Sequence, residues 1–399
     1  MVQGQISGMA AGDVAAIINS GWNLFTKPTL TYNGQPLQVP EKPVPGHIAN
    51  IIGLSEYSED YVRAGATGSG FYPDTGNGDT NITPLVFATG STAALTTTNV
   101  GTLLTSITAA NGLLYNQEIY NEGFARRSAI CGTSNIITWE LPLREIFGFL
   151  KHNQFAMRGQ VIELNLQRET NNARLIHATS GSTPNLQFAF TNIQMWVPRV
   201  QASIPVELSL NKAIEAGLQT RVAFGDWREF ILANDTQTSF TWNVGMIKNA
   251  RRLVFTTYDS TADSSQTVNA GIYNNWGISN FYVTVAGVNY PATQHTPNFT
   301  TKSYARSYHD FLEMFGKSNP TLGFDHGSIV NYKRFGSLYP FFCVDLSKRP
   351  KPINDIGDLQ QIYIYDSFAN AAAKTCVCLV ETDEEMVLKG FGQDLQIVP

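Results

Sequence analysis

Cys376 and Cys378 stand two residues apart in TCVCLVE (375–381), a run of strand type, so both thiols would lie on one face. Two thiolates at that spacing can begin a metal or redox site. A closed site needs two more ligands, and Cys131 and Cys343 form no second pair of ligand spacing. The pair reads better as small buried hydrophobes. The six histidines, His47, His152, His177, His295, His309 and His326, contain no H-x-x-x-H or H-E-x-x-H spacing. That spacing is what would set two imidazoles on one helix face. His309 precedes Asp310 in a helical pattern, where adjacent residues point apart, and Asp325-His326 falls in a Gly-flanked turn.

Asp226 and Glu229 flank Trp227. Two carboxylates roughly 5 to 10 Å apart in an aromatic cleft could cleave a glycosidic bond, but a surface turn explains these three residues as well. DTGNGD (74–79) offers oxygen ligands for calcium, yet it lacks the twelfth-position Glu of an EF-hand loop and reads as a Gly/Asn turn. GATGSGF (65–71) has no Lys-Ser/Thr ending to cradle a phosphate, and no G-x-S-x-G elbow occurs. The expectation is a chain with no catalytic, cofactor-binding or metal-binding residues and no cofactor, and not an enzyme.

The elements that would hold these residues are mostly strands. FTWNV (240–244) sets Phe240, Trp242 and Val244 against Thr241 and Asn243; VIELNLQR (161–168) alternates in the same way. IITWEL (136–141), LQFAFTNIQMWV (186–197), RLVFTTY (252–258), FYVTVAGVNY (281–290) and QIYIYD (361–366) are also rich in β-branched and aromatic residues. SLYPFFCVDLSKRP (337–350) holds a strand apolar on both faces, with Phe341 and Cys343 against Phe342, Val344 and Leu346. No βαβ rhythm appears, so the fold class is all-β, antiparallel sandwiches or barrels. Helical spacing is confined to LREIFGFLKH (143–152), VELSLNKAIEAG (206–217) and SYARSYHDFLEMFGK (303–317). In the last of these Phe311 and Phe315 are expected to be buried. The division expected is an N-terminal arm over 1–29, a first sandwich over 30–205, a linker over 206–219 and a second sandwich over 220–398.

With 399 residues the chain can build two cores, and at 15% charged residues it is poor in charge for its size. Such a surface suits a membrane or a protein partner. No apolar run approaches the roughly 18 residues needed to span a bilayer, which leaves burial against protein; membrane contact is left open. The N-terminus lacks the pattern of a signal peptide, so the sequons at Asn81, Asn234 and Asn298 are expected to stay bare. A net charge of −5, with Lys27 the one basic residue in the first 40, disfavours sequence-specific nucleic-acid binding and the basic arm of small RNA-virus shells. KRPKP (348–352) reads as a solvated loop. Scattered cysteines suit a reducing cell interior. From Thr80 to Gln117 no residue is charged. That stretch is either an insertion packed on a neighbouring copy or a flexible Thr/Ser loop.

Several stretches resemble the major capsid proteins of Polinton/Maverick elements, adintoviruses and related virophage-like viruses. They are WELPLREIFGF (139–149), MWVPRV (195–200), VELSLNKAIEAG, SFTWNV (239–244), NFYVTVAGVNYP (280–291), SYARSYHDF (303–311) and SLYPFFCVDLSK (337–348), together spanning about 140–398. Cys343 departs from the family's apolar residue, and GMIKNARRLVFTTY lacks the Pro-Arg that relatives carry. The resemblance implies a double jelly roll of two eight-stranded sandwiches, with three copies forming a six-sided capsomer that tiles an icosahedral shell around double-stranded DNA. It also implies a minor capsid or penton partner, a place in the virion capsid and assembly inside the host cell. The rivals are a single-shell or tail protein, and a two-domain β-sandwich carbohydrate-binding protein or glycosidase.

Overall fold

The computed structural model describes residues 1–9, 14–36, 45–76, 121–131, 136–152, 161–178, 185–198, 201–217, 219–318, 327–347, 359–389 and 395–398. The Thr80–Gln117 stretch, the KRPKP run, Asn81 and His326 lie outside the described residues. The first half carries β1 (Val2–Ser7), β2 (Ala15–Ile17), β3 (Phe25–Tyr32), β4 (Gln35–Pro36), β5 (Ile136–Trp139), β6 (Ile162–Arg168), β7 (Ile176–Ala178) and β8 (Gln187–Ile193). The second carries β9 (Gln219–Asp235), β10 (Ser239–Lys248), β11 (Ala250–Asp259), β12 (Ile278–Val285), β13 (Val288–His295), β14 (Phe342–Asp345), β15 (Leu359–Phe368) and β16 (Lys374–Lys389). A last strand, β17 (Leu395–Val398), pairs with the end of β16.

Pairing order defines the topology. The second half forms one sheet with β9-β16-β11-β14 adjacent and another ordered β10-β15-β12-β13. Counted one to eight, that is 1-8-3-6 facing 2-7-4-5, the nested order of a jelly roll, which curls two sheets around one core. In the first half β1 pairs β8, β2 pairs β7 and β3 pairs β6, repeating the 1-8, 2-7 and 3-6 contacts. There the fourth contact differs, because β5 lies on the free edge of β1 and β4 folds back on β3. The fold is an all-β double jelly roll with a few short helices.

The β9-β16-β11-β14 sheet is covered on both faces. Leu253, Phe255, Phe342, Val344, Cys376, Cys378 and Val380 face the opposing sheet. Val254, Tyr258, Phe341, Cys343, Val377 and Leu379 face a second layer built with the helices Pro45–Glu56, Ala305–Met314 and Tyr332–Ser337. This explains why SLYPFFCVDLS is apolar on both sides: each side meets protein within the same chain. The helix Pro45–Glu56 was invisible to periodicity because nearly all of it is buried, so it has no polar face.

Several expectations change. Residues 1–29 are no free arm, since β1 sits between β5 and β8 and puts Val2 and Ile6 into the first core. FYVTVAGVNY is not one strand but a hairpin. Ala286 and Gly287 both take positive φ, 50° and 81°, the two-residue turn whose twist matches its strands. LREIFGFLKH splits into a short 3₁₀ turn, Leu143–Glu145, and a helix, Gly148–His152. Gly148 packs so close to the backbone of Gly225 on β9 that a Cβ at Gly148 would not fit. The strands β9 and β16 also run on past the second sandwich, so Val222, Phe224 and Met386 belong to the first core.

Candidate functional site

The residues singled out for chemistry are absorbed into the fold. Asp226 and Glu229 lie on β9 and are both buried; Glu229 Oε1 is 2.7 Å from His47 Nδ1. Trp227 is buried and lies 5.6 Å from the Arg252 guanidinium, which is itself paired with Glu381. Carboxylates so placed line no cleft that a sugar could enter. Asp74, the first acid of the calcium-like loop, is instead fully buried against Arg127, with Nη2 to Oδ1 at 2.7 Å. All four cysteines are buried. Burial pushes the Cys131 thiol up to about 11 and raises the Cys343 and Cys378 thiols as well, so the thiolate that metals and oxidants need is disfavoured. Among the described residues no three His, Cys, Asp or Glu side chains gather as metal ligands would.

The histidines scatter likewise. His177 packs edge-on to Phe124 in the first half, whereas His152 and His309 are exposed. His295 ends β13 and is almost wholly buried, with Nδ1 3.2 Å from Ser307 Oγ and Nε2 3.3 Å from Asp310 Oδ2. Burial first, and Arg306 second, lower its pKa to about 4, outweighing the nearby carboxylate. An unfolded histidine titrates near 6.5. Between these values the unfolded chain holds a proton that the folded chain refuses, so stability falls as pH drops from about 6.5 to about 4. The loss sums to about 3 kcal/mol. His295→Gln is expected to remove that part of the slope. Urea melts at pH 7 and pH 4.5 check it: equal slopes for both proteins would contradict the assignment.

What the surface does offer is two neighbouring runs of exposed apolar side chains. Ile193, Met195, Trp196 and Val197 at the end of β8, then Ile204, Val206 and Leu208 on the helix Ile204–Glu215, are all exposed, Trp196 and Ile204 each by 75%. Trp196 stands beside Met1, Thr138 and Glu140 at a groove of the first sandwich. Seven large apolar side chains within sixteen residues are far from the scattered singles that need no explanation. The helix adds a second anomaly. None of its described side chains is buried, yet a helix of 12 residues is marginal in water without a packed face. Sequence reading placed a linker here. The signal was present in MWVPRV and VELSL, but periodicity cannot tell which apolar face lacks a cover.

A family model described as a double jelly roll-like domain matches residues 96–386. The chain belongs to the double jelly roll-like domain family. No curated protein matches it. Among solved structures, a chain of the Sputnik virophage is similar at 11% identity and a TM-score of 0.48, over 100% of this chain and 80% of that one. A chain of the PBCV-1 virus capsid is similar at 7% identity and a TM-score of 0.43, over 100% and 90%. The Faustovirus major capsid protein is similar at 9% identity and a TM-score of 0.45, over 94% and 74%. In this double jelly roll chain the exposed apolar side chains of 193–197 and 204–208, not a pocket, are the feature that asks for a partner.

Proposed function

We propose that the chain is the major capsid protein of an icosahedral double-stranded DNA virus, working as a homotrimeric capsomer of six-sided outline. The observation that carries this is the winding of two jelly rolls from one chain, together with membership of the double jelly roll-like family. The stretches similar to Polinton-type capsid proteins point the same way, and so do the low charge and the exposed apolar side chains of 193–197 and 204–208. Six sandwiches around a threefold axis make a near-hexagonal prism, and such prisms tile a shell with nearly equivalent neighbours. In this reading the chain resides in the virion capsid, is assembled inside the host cell, contacts a minor or penton protein, and makes no sequence-specific contact with the genome. We also propose 220–398 as the body of the second jelly roll, joined through 206–219 to a first roll that takes in β1 to β3 as well as 30–205, with β9 and β16 lending their ends to the first. The carbohydrate-active alternative loses its candidate residues, since Asp226 and Glu229 are buried.

Light scattering on the purified full chain is expected to give about three times the 43.9 kDa chain mass before any shell forms. Negative-stain microscopy should then find six-sided particles. A monomer that persists at every concentration would sink the reading.

A further inference from the structure

The sheet ordered β10-β15-β12-β13 has two edges, and they are treated differently. On β13, Pro291 offers no N–H, and Arg306 donates to Thr293 O at 2.8 Å and to Gln294 O at 3.1 Å. A proline and a covering cation are ways in which a sheet keeps other strands away. β10 has neither. Among the described residues it has β15 on one side and no strand on the other. Ser239–Ile247 contains no charged residue and no proline. Phe368 N donates to Thr238 O at 2.6 Å, and the register continues with Phe240 opposite Asp366 and Trp242 opposite Ile364. In an antiparallel ladder alternate residues turn both backbone groups to the same side. Thr238, Phe240 and Trp242 therefore bond toward β15, and Ser239, Thr241 and Asn243 turn their N–H and C=O to the open edge. The side chains of these three are exposed, and none of their outward backbone groups is bonded within the described residues.

We infer that β10 pairs through Ser239–Asn243 with the same run of a second copy, antiparallel, across a twofold axis at Thr241. The contact goes beyond the proposed trimer, since a threefold ring contains no twofold; within that reading it joins one capsomer to the next. Three observations select this occupant. A row of open N–H and C=O groups takes an extended strand, not a helix or a small molecule. The register suits a copy of itself. With Thr241 on the axis it meets its own copy, Ser239 meets the partner's Asn243, and every outward backbone group finds a mate. The side chains suit it as well. A strand paired with itself sets like charges near one another, which destabilises the pair, and Ser239–Asn243 carries none. Phe240, half-buried in the single chain, comes beside the partner's Trp242 as an aromatic cross-strand pair. The bulge after Asn243, where the register shifts and Gly245 takes φ 129°, ends the regular run and fixes its length.

The test uses two full-length variants, Thr241→Lys and Thr241→Glu. Each puts like charges face to face at the axis, on an exposed side chain that the β15 ladder does not need. Sedimentation velocity over a concentration series reads the association. The wild type is expected to show a step that doubles the mass of its basic particle, and each variant alone to lose that step. An equimolar mixture of the two variants should regain it, because a lysine then meets a glutamate. Only a contact in which residue 241 meets its own copy predicts that rescue. Amide exchange on the wild type gives a readout that needs no variant: the 239–243 peptide should exchange about tenfold more slowly in the doubled particle than in the dilute one. Loss in both variants without rescue, loss in neither, unchanged exchange, or no doubling step at any concentration overturns the inference. A doubling step that starts from a single chain keeps it and overturns the trimer, whereas a trimer that never doubles does the reverse.

Discussion

Phe311→Ala is expected to cost about 3 to 5 kcal/mol in urea melts, the range for truncating a fully buried aromatic. Phe311 is wholly buried on the helix Ala305–Met314 and sits 5.7 to 5.9 Å, ring to ring, from Phe315, Phe335 and Phe341. It is the point at which this helix, the helix Tyr332–Ser337 and the segment leading into β14 meet. Removing the ring opens a cavity between three elements that cannot collapse together, because β14 is fixed by pairing to β11. Phe315→Ala should cost less than half as much. Phe315 lies one residue past the helix end, is only half-buried and covers the Arg252 guanidinium at 5.6 Å. Equal losses at the two sites would show that the helix continues as the sequence spacing suggests. A loss below about 1 kcal/mol at Phe311 would place that helix face in solvent.

The contrast between those phenylalanines shows what the sequence could and could not carry. Helical spacing from Tyr304 to Phe315 located the helix, and alternation located β10, β6 and β15, because each of these elements has one wet face. Where both faces are buried the period disappears, which hid the helix Pro45–Glu56 and left what covers SLYPFFCVDLS unassigned. Short strands such as β2, with three residues, and β4, with two, are below what alternation can register. The jelly-roll order itself comes from pairings as much as 191 residues apart, such as Val2 with Ile193, that local pattern does not encode. It was the resemblance that supplied the fold family. The exposed side chains of 193–197 and 204–208 were legible as apolar sequence but not as surface, since exposure depends on what the rest of the chain fails to cover.

Asp74→Ala is expected to be as damaging as Phe311→Ala, for an electrostatic reason. Arg127 is fully buried and donates from Nε to Ile17 O at 2.9 Å, from Nη1 to Tyr72 O and from Nη2 to Asp74 Oδ1 at 2.7 Å. Asn121 Nδ2 donates to the same carboxylate at 2.8 Å, Thr75 N donates to Asn121 Oδ1 at 3.1 Å, and Tyr339 OH donates to Asp74 O at 2.9 Å. The two sides of the 77–120 stretch are thus tied together at residues 74–75 and 121–127. Such a clamp fixes where that stretch leaves and rejoins the fold. Truncating Asp74 leaves a guanidinium in a dry site with its carbonyl partners but no counter-charge, a change that typically costs about 3 to 5 kcal/mol. Replacing both partners with apolar residues, Asp74→Leu with Arg127→Met, removes the stranded charge and should lose much less than either single truncation. The double-mutant cycle in urea therefore separates charge burial from packing. If the double variant is as unstable as the sum of the singles, the clamp acts through shape and hydrogen bonds to the backbone, and the ion pair is incidental.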